Sequence, residues 1–532
     1  MGVDPNRNYG YMWGLNNIGS SPDPCDETYR GTAAFSEPEI AAIRDLCENH
    51  EFRIALNYHT YSNLLLYTWG YTEDPCPDDP VLEAFAELMT QDSHYTYGPG
   101  STTIYPTNGG SDDWMYGEQT SKEKIFAYTP ELGGSDDGFW CPIDRIIPIA
   151  QENMIQNILA AAFSRKYAHI EDLTSTILGE TSGYFKFDIT RFGLLDGATF
   201  TVTLEPGNNA VISTGDPVEF TSMDLLETRT DSIAFTLDPA IISGTQVQFV
   251  VSVDNGDYVV SDTLTKIFGQ AVVIFEDDCN TLTNWTSNQW DVTTSSYHSP
   301  TGSITDSPYG NYSNYQTNII TMNNGIDLTN AGYALLNFWA KWEIEAGWDY
   351  VQVLASTNGG GTWTPLKGNY TTTGNSNQAQ GEALYDGFQT TWVQEEIDLS
   401  DFLGSTVKFR FWLISDSYVT EDGYYFDDFT VTIVDIAIGE KEIQGFNCGV
   451  MISNPIPNPA KGTVKFNFLL SDETTDVSFN IYNATGQSVY STGLQKEQTN
   501  ISFPVEEWEP GIYYYRIEGT NLQTEAKKLI VM

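Results

Sequence analysis

Two residues in the first quarter of the sequence, His59 and Glu131, carry side chains suited to acid–base or metal chemistry, and each follows a segment with strand character. Apolar residues alternate with small or polar ones over residues 54–58, as in a half-buried strand that ends at the histidine. A second strand-like run, residues 125–128, leads to the glutamate. An imidazole can bind a metal and a carboxylate can act as a base, although a lone histidine is more often a structural group.

The elements around these two residues alternate between helix and strand. Residues 36–39 (SEPE) have the form of a capping box with proline in the first turn, which predicts a helix start. Helical patterns also cover residues 81–89 and 146–167. This alternation predicts a mainly parallel sheet, whose sites collect at the carboxyl ends of the strands. His59 and Glu131 both fall at such ends.

Four ordered blocks of sequence carry a family resemblance. They are residues 2–8 (GVDPNRN), 59–71 (HTYSNLLLYTWGY), 102–114 (TTIYPTNGGSDDW) and 128–132 (YTPEL). These blocks resemble the funnelin zinc carboxypeptidases, the family of pancreatic carboxypeptidases A and B. The resemblance covers about residues 1–165 and implies the C-terminal part of the family's α/β catalytic domain, with zinc as cofactor and peptide or protein C-termini as substrates.

The resemblance assigns His59 as a zinc ligand and implies two more ligands from an H-x-x-E pair. The sequence contains 5 histidines, and none has a glutamate three residues later. A catalytic zinc site uses three protein ligands and keeps one position open for water. We therefore expect the two other ligands upstream of Met1 and expect residues 1–532 alone to be inactive.

The resemblance also assigns residues that would bind and cleave a peptide at its C-terminus. Glu131 would be the general base. Asn6 and Arg7 would bind the terminal carboxylate, for which a guanidinium offers a planar, bidentate fork. Tyr105 would close over the bound terminus.

Asp112 bears on substrate preference. It corresponds to a pocket-floor position that is acidic in B-like members of the family and apolar in A-like members, and residues 98–100 (GPG) also resemble the B type. An aspartate there would pair with a C-terminal Lys or Arg. Two observations point the other way: Gly70 resembles the A type, and Asp112 could instead hydrogen-bond its own loop.

Composition limits the class of partner. The sequence has 24 Lys and Arg against 72 Asp and Glu, a net charge of −48, which argues against nucleic acid and anionic membranes as partners. No apolar run approaches the roughly 18 residues of a membrane-spanning helix. No C-x-x-C pair occurs among the 6 cysteines. Cys76 and Cys141 form either a disulfide or two buried free thiols.

The pattern becomes purely β after the α/β segment. We predict a multidomain protein, with a partial α/β zinc carboxypeptidase domain followed by three all-β sandwich domains. Residues 169–267 predict an immunoglobulin-like sandwich, and residues 268–437 resemble the MAM-type jelly rolls of secreted bacterial peptidases. The predicted boundaries are 1–168, 169–267, 268–437 and 450–532.

The jelly-roll segment carries two further candidate sites. Its first and last strands would bring Glu276 near Asp427 or Asp428, an oxygen-rich arrangement that could bind calcium, although paired surface carboxylates are more often simply solvated. Its aromatic residues form either a sugar-stacking platform, with possible glycan or surface contact, or part of the core. The tryptophans concerned are Trp285, Trp290 and Trp348.

The C-terminal segment resembles the sorting domain of type IX secretion. The resemblance rests on residues 454–460 (NPIPNPA), 511–515 (GIYYY) and 527–531 (KKLIV). It implies the type IX secretion machinery as a partner and a secreted or cell-surface location. A further structural sandwich without a sorting role is the alternative.

Two functions from different classes follow. The first is a secreted zinc metallocarboxypeptidase that removes C-terminal residues from peptides with a preference for Lys and Arg. The second is a non-catalytic surface adhesion or carbohydrate-binding protein that carries a relic peptidase half. Retention of the site residues favours the first, and the single zinc ligand favours the second.

Overall fold

A computed structural model describes residues 2–135 and 137–435 and, nearer the C-terminus, residues 450–452, 455, 458, 460–470, 477–483, 485–495, 498, 500–506, 508–519, 522–523 and 526–532. The chain divides into two compact units, Met1–Ile438 and Gly439–Met532. Within these described ranges, no helix is both long enough and apolar enough to cross a membrane.

The first segment is built on a small mixed sheet. Its strands are β1 (Ile54–Leu56), β2 (Leu64–Tyr67), β3 (Thr96–Pro99) and β4 (Phe126–Glu131). Their order is β1-β4-β2-β3, with β1 parallel to β4, β2 antiparallel to β4 and β2 parallel to β3. The helices are α1 (Pro38–Asn49), α2 (Asp79–Thr90), α3 (Gly100–Thr103), α4 (Ser111–Gly117), α5 (Ile146–Glu152) and α6 (Met154–Phe163), with short 3-10 helices at Pro5–Arg7 and Ile143–Arg145.

The start of α1 and the extent of the last predicted helix differ from the sequence prediction. Glu37 is the N-cap of α1 and makes no side-chain cap, so the predicted capping box does not form. Ser36 instead donates from Oγ to Glu37 Oε1, and its Oγ accepts from Asn8 Nδ2. The predicted helix over 146–167 is two helices, because the backbone leaves helical geometry at Asn153, whose amide donates to the Ile149 carbonyl oxygen.

Aromatic residues of α2 and α6 form the core against one face of the sheet. Phe85 and Phe163 are both fully buried, and their ring centroids lie 4.4 Å apart. Leu82 and Met89 of α2 are also fully buried. Burial of these side chains fixes the helices on the sheet and so fixes where the strands end.

Residues 168–268 form two facing antiparallel sheets. Their orders are β10-β8-β12-β13-β6 and β5-β7-β11-β9, apart from a parallel pairing of β6 with β13. Alternate residues of β7, such as Phe185 and Phe187, are buried between the sheets, which confirms a β-sandwich. The strands are β5 (Ala168–Asp172), β6 (Ile177–Leu178), β7 (Ser182–Arg191), β8 (Thr199–Pro206), β9 (Val211–Thr214), β10 (Val218–Thr221), β11 (Thr228–Leu237), β12 (Gln246–Asp254) and β13 (Val259–Phe268).

The next segment contains two six-stranded sheets around the largest core cluster. One sheet has the order β16-β17-β27-β20-β25 with β14 on β27, and the other has β15-β18-β26-β21-β22 with β19 on β26. The strands are β14 (Ala271–Asp277), β15 (Trp285–Ser287), β16 (Asp291–Thr293), β17 (Ser303–Thr305), β18 (Thr317–Met322), β19 (Ile326–Asp327), β20 (Ala331–Ile344), β21 (Tyr350–Ser356), β22 (Thr364–Pro365), β23 (Thr372–Thr373), β24 (Ala383–Leu384), β25 (Gly387–Asp398), β26 (Thr406–Ile414) and β27 (Gly423–Asp435).

Two of the three tryptophans predicted as a sugar-stacking platform belong to the core. Trp285 and Trp290 are 3% and 2% exposed and pack against Phe426, so they cannot stack on a sugar. Trp348 is 39% exposed. The predicted three-residue platform therefore does not form, because the hydrophobic core takes two of its members.

The acidic residues predicted to bind calcium are satisfied by protein donors. Asp427 Oδ2 accepts the backbone N–H groups of His298 and Ser299 at 2.9 Å. Asp428 accepts from Ser299 Oγ and pairs with the His298 imidazole at 2.7 Å. Glu276 is exposed on β14. Asp427 and Asp428 therefore have hydrogen-bond partners within the protein and do not need a cation to satisfy them.

The C-terminal unit is also all-β in its described residues. Its sheets have the orders β28-β29-β32 and β31-β30-β33-β34, with β35 on β33. Phe466, Phe479 and Tyr515 are fully buried between them. Part of the 454–460 motif lies outside the described residues. The strands are β28 (Val450–Ile452), β29 (Thr463–Leu470), β30 (Ser478–Asn483), β31 (Ser488–Gly493), β32 (Asn500–Pro504), β33 (Gly511–Gly519), β34 (Leu522–Gln523) and β35 (Lys527–Val531).

The described cysteines are all free thiols. Cys76 is buried in the core of the first segment, whereas Cys141 is partly exposed. The disulfide alternative for this pair is therefore not what the structure shows, and only one of the two free thiols is buried. Cys448 lies outside the described residues.

Replacement of Phe85 by alanine should destabilise the first segment by about 3–5 kcal/mol, because it leaves a cavity between α2 and α6. Phe139→Ala is the matched control, since that ring is 71% exposed. Denaturant unfolding followed by tryptophan fluorescence measures both variants. Equal effects of the two substitutions would contradict the packing described here.

Candidate functional site

A cavity of about 480 Å³ lies at the carboxyl ends of β1 and β4. All six residues singled out in the sequence line it, although they come from widely separated parts of the first segment. They are Asn6, Arg7, His59, Tyr105, Asp112 and Glu131.

Backbone pairing places His59 beside Glu131. The His59 N–H donates to the Pro130 carbonyl oxygen at 2.9 Å, and the Leu132 N–H donates to the His59 carbonyl oxygen at 3.0 Å. This parallel bridge extends the register that pairs Leu56 with Tyr128. As a result, His59 Nδ1 lies 3.8 Å from Glu131 Oε1.

The Glu131 carboxyl group has the properties of a general base. It is 8% exposed, and burial, together with the nearby Asp112, raises its pKa to about 7. A carboxyl group with a pKa near neutrality can take up and release a proton in the same reaction cycle.

The described residues do not by themselves complete a zinc site. His59 is the one histidine among the residues that line the cavity. Over the described ranges, no three His, Cys, Asp or Glu side chains bring ligand atoms together at this cavity. Catalytic zinc takes three protein ligands, so His59 alone is too few.

Arg7 is held rigidly with part of its guanidinium uncommitted. Its side chain is almost fully buried, Nε donates to the Gly19 carbonyl oxygen at 2.5 Å, and Nη1 donates to the Asn6 carbonyl oxygen at 2.9 Å. Among the described residues, Nη2 has no hydrogen-bond partner. The Asn6 side chain positions the opposite wall, because its Oδ1 accepts the Ser111 N–H at 2.9 Å. A carboxylate entering the cavity would meet a preorganised cation.

Asp112 is anchored on both carboxylate oxygens. Oδ1 accepts from Asn57 Nδ2 and Oδ2 accepts from Thr129 Oγ1, both at 2.7 Å. Burial raises its pKa, against the lowering effect of these hydrogen bonds. These two hydrogen bonds support the alternative in which Asp112 anchors its own loop. Each carboxylate oxygen can still accept a second hydrogen bond, for example from a substrate group.

Tyr105 stands at the rim of the cavity. Its side chain is 52% exposed, as expected of a residue free to move over a bound ligand. On the other side of the rim, the rings of Tyr61 and Phe139 make an edge-to-face contact with centroids 5.0 Å apart. Aromatic side chains thus flank the entrance.

Sequence reasoning missed the residues that hold the acidic wall. Asn57 and Thr129 fix Asp112, and Asp113 Oδ1 accepts from Thr68 Oγ1 and the Gly70 N–H at 2.7 and 2.8 Å. The one available signal was the polar Asn57 directly after the apolar strand, because a partly buried amide needs a partner.

Comparison with family models divides the chain into three matched regions. Residues 1–156 match the zinc carboxypeptidase family, residues 280–439 match the MAM domain of immune inhibitor A-like proteins, and residues 456–532 match a secretion system C-terminal sorting domain. The resemblances proposed from the sequence motifs are confirmed. The sorting domain indicates secretion or a cell-surface location.

Individual relatives agree with the first of these matches. The chain is 39% identical to carboxypeptidase A1 of Bos taurus over 163 residues, which are 29% of this chain and 38% of that protein. It is 37% identical to carboxypeptidase B of Astacus astacus over 160 residues, 28% of this chain and 51% of that protein. The chain therefore spans about half or less of the length of these relatives.

Among solved structures, the chain resembles thrombin-activatable fibrinolysis inhibitor. The sequence identity is 29%, the TM-score is 0.28, and the match covers 30% of this chain and 41% of that one.

Replacement of Asp113 by asparagine should change how stability depends on pH. Burial raises the Asp113 pKa from 3.8 to about 6, so this carboxyl group's contribution to stability is present below pH 3.8 and is lost as the pH rises through 6. Relative to the parent, Asp113→Asn should therefore gain about 2–3 kcal/mol between about pH 4 and pH 7. Denaturant titrations at several pH values measure the difference, and a flat difference would contradict the raised pKa.

Proposed function

We propose that the protein is a secreted zinc metallocarboxypeptidase that removes C-terminal residues from peptides. The observation that carries the proposal is the shared cavity in which a buried carboxyl group of raised pKa, Glu131, lies with the preorganised cation of Arg7. Carboxypeptidase chemistry needs a base for water and a cation that recognises the free terminus.

The residues of this chain have separate tasks in the proposed reaction. Arg7 binds the terminal carboxylate through its uncommitted Nη2, and Asn6 keeps the facing wall in position. Tyr105 covers the bound terminus and limits the access of water. Glu131 takes a proton from the attacking water and returns it to the leaving amine, so that its charge is restored after each turnover.

We propose that the zinc of the active protein is held by His59 and two ligands that the present sequence does not contain. The single imidazole among the residues that line the cavity supports this proposed ligand set. Residues 1–532 alone are then expected to show negligible activity, because one ligand is too few for a tight site.

The proposed preference for C-terminal Lys and Arg rests on Asp112. Its carboxylate lines the cavity that Arg7 also lines, and a basic substrate side chain would add a donor to those from Asn57 and Thr129. The same two hydrogen bonds argue against a preference for Lys and Arg, because they also support an anchoring role for Asp112.

A non-catalytic surface protein is the second candidate. The incomplete zinc ligand set favours it, since a relic peptidase half could persist as a support for the β modules. Glycan contact would then have to use surfaces other than Trp285 and Trp290, which are buried.

The proposed domain division has bounds at 1–168, 169–267, 268–437 and 450–532. The largest hydrophobic clusters fall mainly within single segments, which supports it. Contacts also cross the bounds: Phe192 joins the cluster of the first segment, and Ile267 clusters with Tyr333 and Leu335. The C-terminal segment is proposed to engage the type IX secretion machinery, which would carry the protein to the outside of the cell.

Replacement of Glu131 by glutamine tests the reaction in the intact protein isolated from the medium or surface of the cells that secrete it. Hydrolysis of hippuryl-Arg should be inhibited by a chelator and restored by zinc. Glu131→Gln should lower kcat by about 10²–10⁴-fold with little change in KM, because it removes the base but not the binding groups. The matched control is Glu123→Gln, an exposed glutamate outside the cavity.

The same assay separates the two candidate functions. Zinc-dependent release of arginine that depends on Glu131 supports the peptidase. Absence of turnover from the intact secreted protein, with zinc present, overturns it and favours the non-catalytic alternative.

Replacement of Asp112 by asparagine should lower kcat/KM for hippuryl-Arg about 30-fold or more while changing that for hippuryl-Phe much less, because a buried charge pair is lost only with the basic substrate. Asp144→Asn, at an exposed site, is the control. A parallel fall for both substrates would mean that Asp112 anchors the loop and does not select the side chain.

A further inference from the structure

Three carboxylates converge at one end of the jelly-roll segment, away from the peptidase cavity. Glu345 and Asp349 lie in the turn between β20 and β21, and Asp416 lies just beyond the end of β26. One oxygen atom from each side chain lies within 4.8 Å of the others. The turn that connects the two sheets and the loop after β26 therefore bring three negative charges together.

The central member of this group is buried and incompletely satisfied. Asp349 is fully buried, and its Oδ1 accepts the Asp416 N–H at 2.5 Å. Its Oδ2 is buried without any hydrogen-bond partner among the described residues, and the same holds for Glu345 Oε2. The Tyr312 hydroxyl faces Asp349 and the Val419 N–H faces Glu345, and each lowers the pKa of the carboxyl group that it faces. The two buried oxygens without a donor remain costly, and a bound cation would satisfy them.

The surroundings offer further oxygen atoms and no basic group. Within the described ranges, none of the three carboxylates forms an ion pair with a Lys, Arg or His side chain. Asn314, whose amide donates to the Ser417 carbonyl oxygen in the loop of Asp416, also keeps a buried Oδ1 without a partner.

Mutual repulsion accompanies this arrangement. Burial, followed by the charges of Asp349 and Asp416, raises the pKa of Glu345 to about 7. Burial also raises the pKa of the Asp349 carboxyl group, and the charge of Asp416 adds to this rise.

We propose that Glu345, Asp349 and Asp416 bind a calcium ion. Ca²⁺ takes six to eight oxygen ligands in flexible geometry, and carboxylates, amide oxygens and waters are its usual partners. The all-oxygen donor set disfavours zinc, which prefers nitrogen and sulfur, and the irregular loop cluster suits Ca²⁺ better than the strict octahedron of Mg²⁺.

The ion would join two loops that extend from the paired strands β21 and β26, where Tyr350 lies opposite Ile414. The Asp416 N–H to Asp349 Oδ1 hydrogen bond connects residues 67 positions apart in the sequence. In the same turn, the Gly347 N–H donates to Asp386 Oδ2 at 2.8 Å. Calcium bound by the three carboxylates would therefore stabilise this end of the jelly roll independently of any peptidase activity.

Terbium luminescence and calorimetry test the site in the full chain after removal of metals with EDTA and dialysis. Tb³⁺ substitutes for Ca²⁺, and Trp348, the residue before Asp349, is a nearby sensitiser. We expect one saturable site from which Ca²⁺ displaces Tb³⁺, with a Ca²⁺ dissociation constant of about 10⁻³ M or tighter. We also expect added Ca²⁺ to raise the Tm of the jelly-roll transition.

Five variants test whether the signal comes from these residues. Asp349→Asn and Asp416→Asn should each weaken Ca²⁺ binding at least tenfold and remove the Tm increase, and Glu345→Gln should do the same if Asp349→Asn fails to fold. Asp401→Asn, an exposed aspartate of the same segment, should bind as the parent does. Unchanged binding in all variants overturns the proposal, as does loss of binding only in Asp427→Asn, which would locate the ion at the other acidic pair.

Discussion

Two backbone hydrogen bonds between the ends of β1 and β4 position the whole candidate site. They join His59 to Pro130 and Leu132 and so bring an imidazole and the Glu131 carboxylate to the same point. All six residues of β4 are buried, with Phe126 and Tyr128 in one core cluster and Ala127 in another. Because side chains alternate along a strand, a shift by one residue would turn Glu131 away from the cavity.

The electrostatics of the cavity follow from this geometry. Asp112, Asp113 and Glu131 are held in a poorly solvated space, and burial raises the pKa of each. Arg7 is the one cationic side chain among the residues that line the cavity. Such a site is poised to accept positive charge, which is what both a metal ion and a basic substrate would bring.

The jelly roll repeats this pattern on a different scaffold. There too, loops that follow long strands deliver carboxylates to one place, and the protein supplies fewer donors than the oxygens can accept. With a net charge of −48, the chain has few basic residues with which to neutralise such clusters internally. Bound cations are the physical alternative to moving these charges into water.

The sequence by itself indicated the candidate site residues, the alternation of helix and strand, and the change to all-β modules, because motifs and side-chain periodicity are local properties. The contacts between distant segments were decided only by the tertiary structure. The anchoring of Asp112 by Asn57 and Thr129, the burial of Trp285 in the core, and the approach of Asp349 to Asp416 all depend on contacts between distant segments. Such contacts are set by strand register and packing, which no short stretch of sequence encodes.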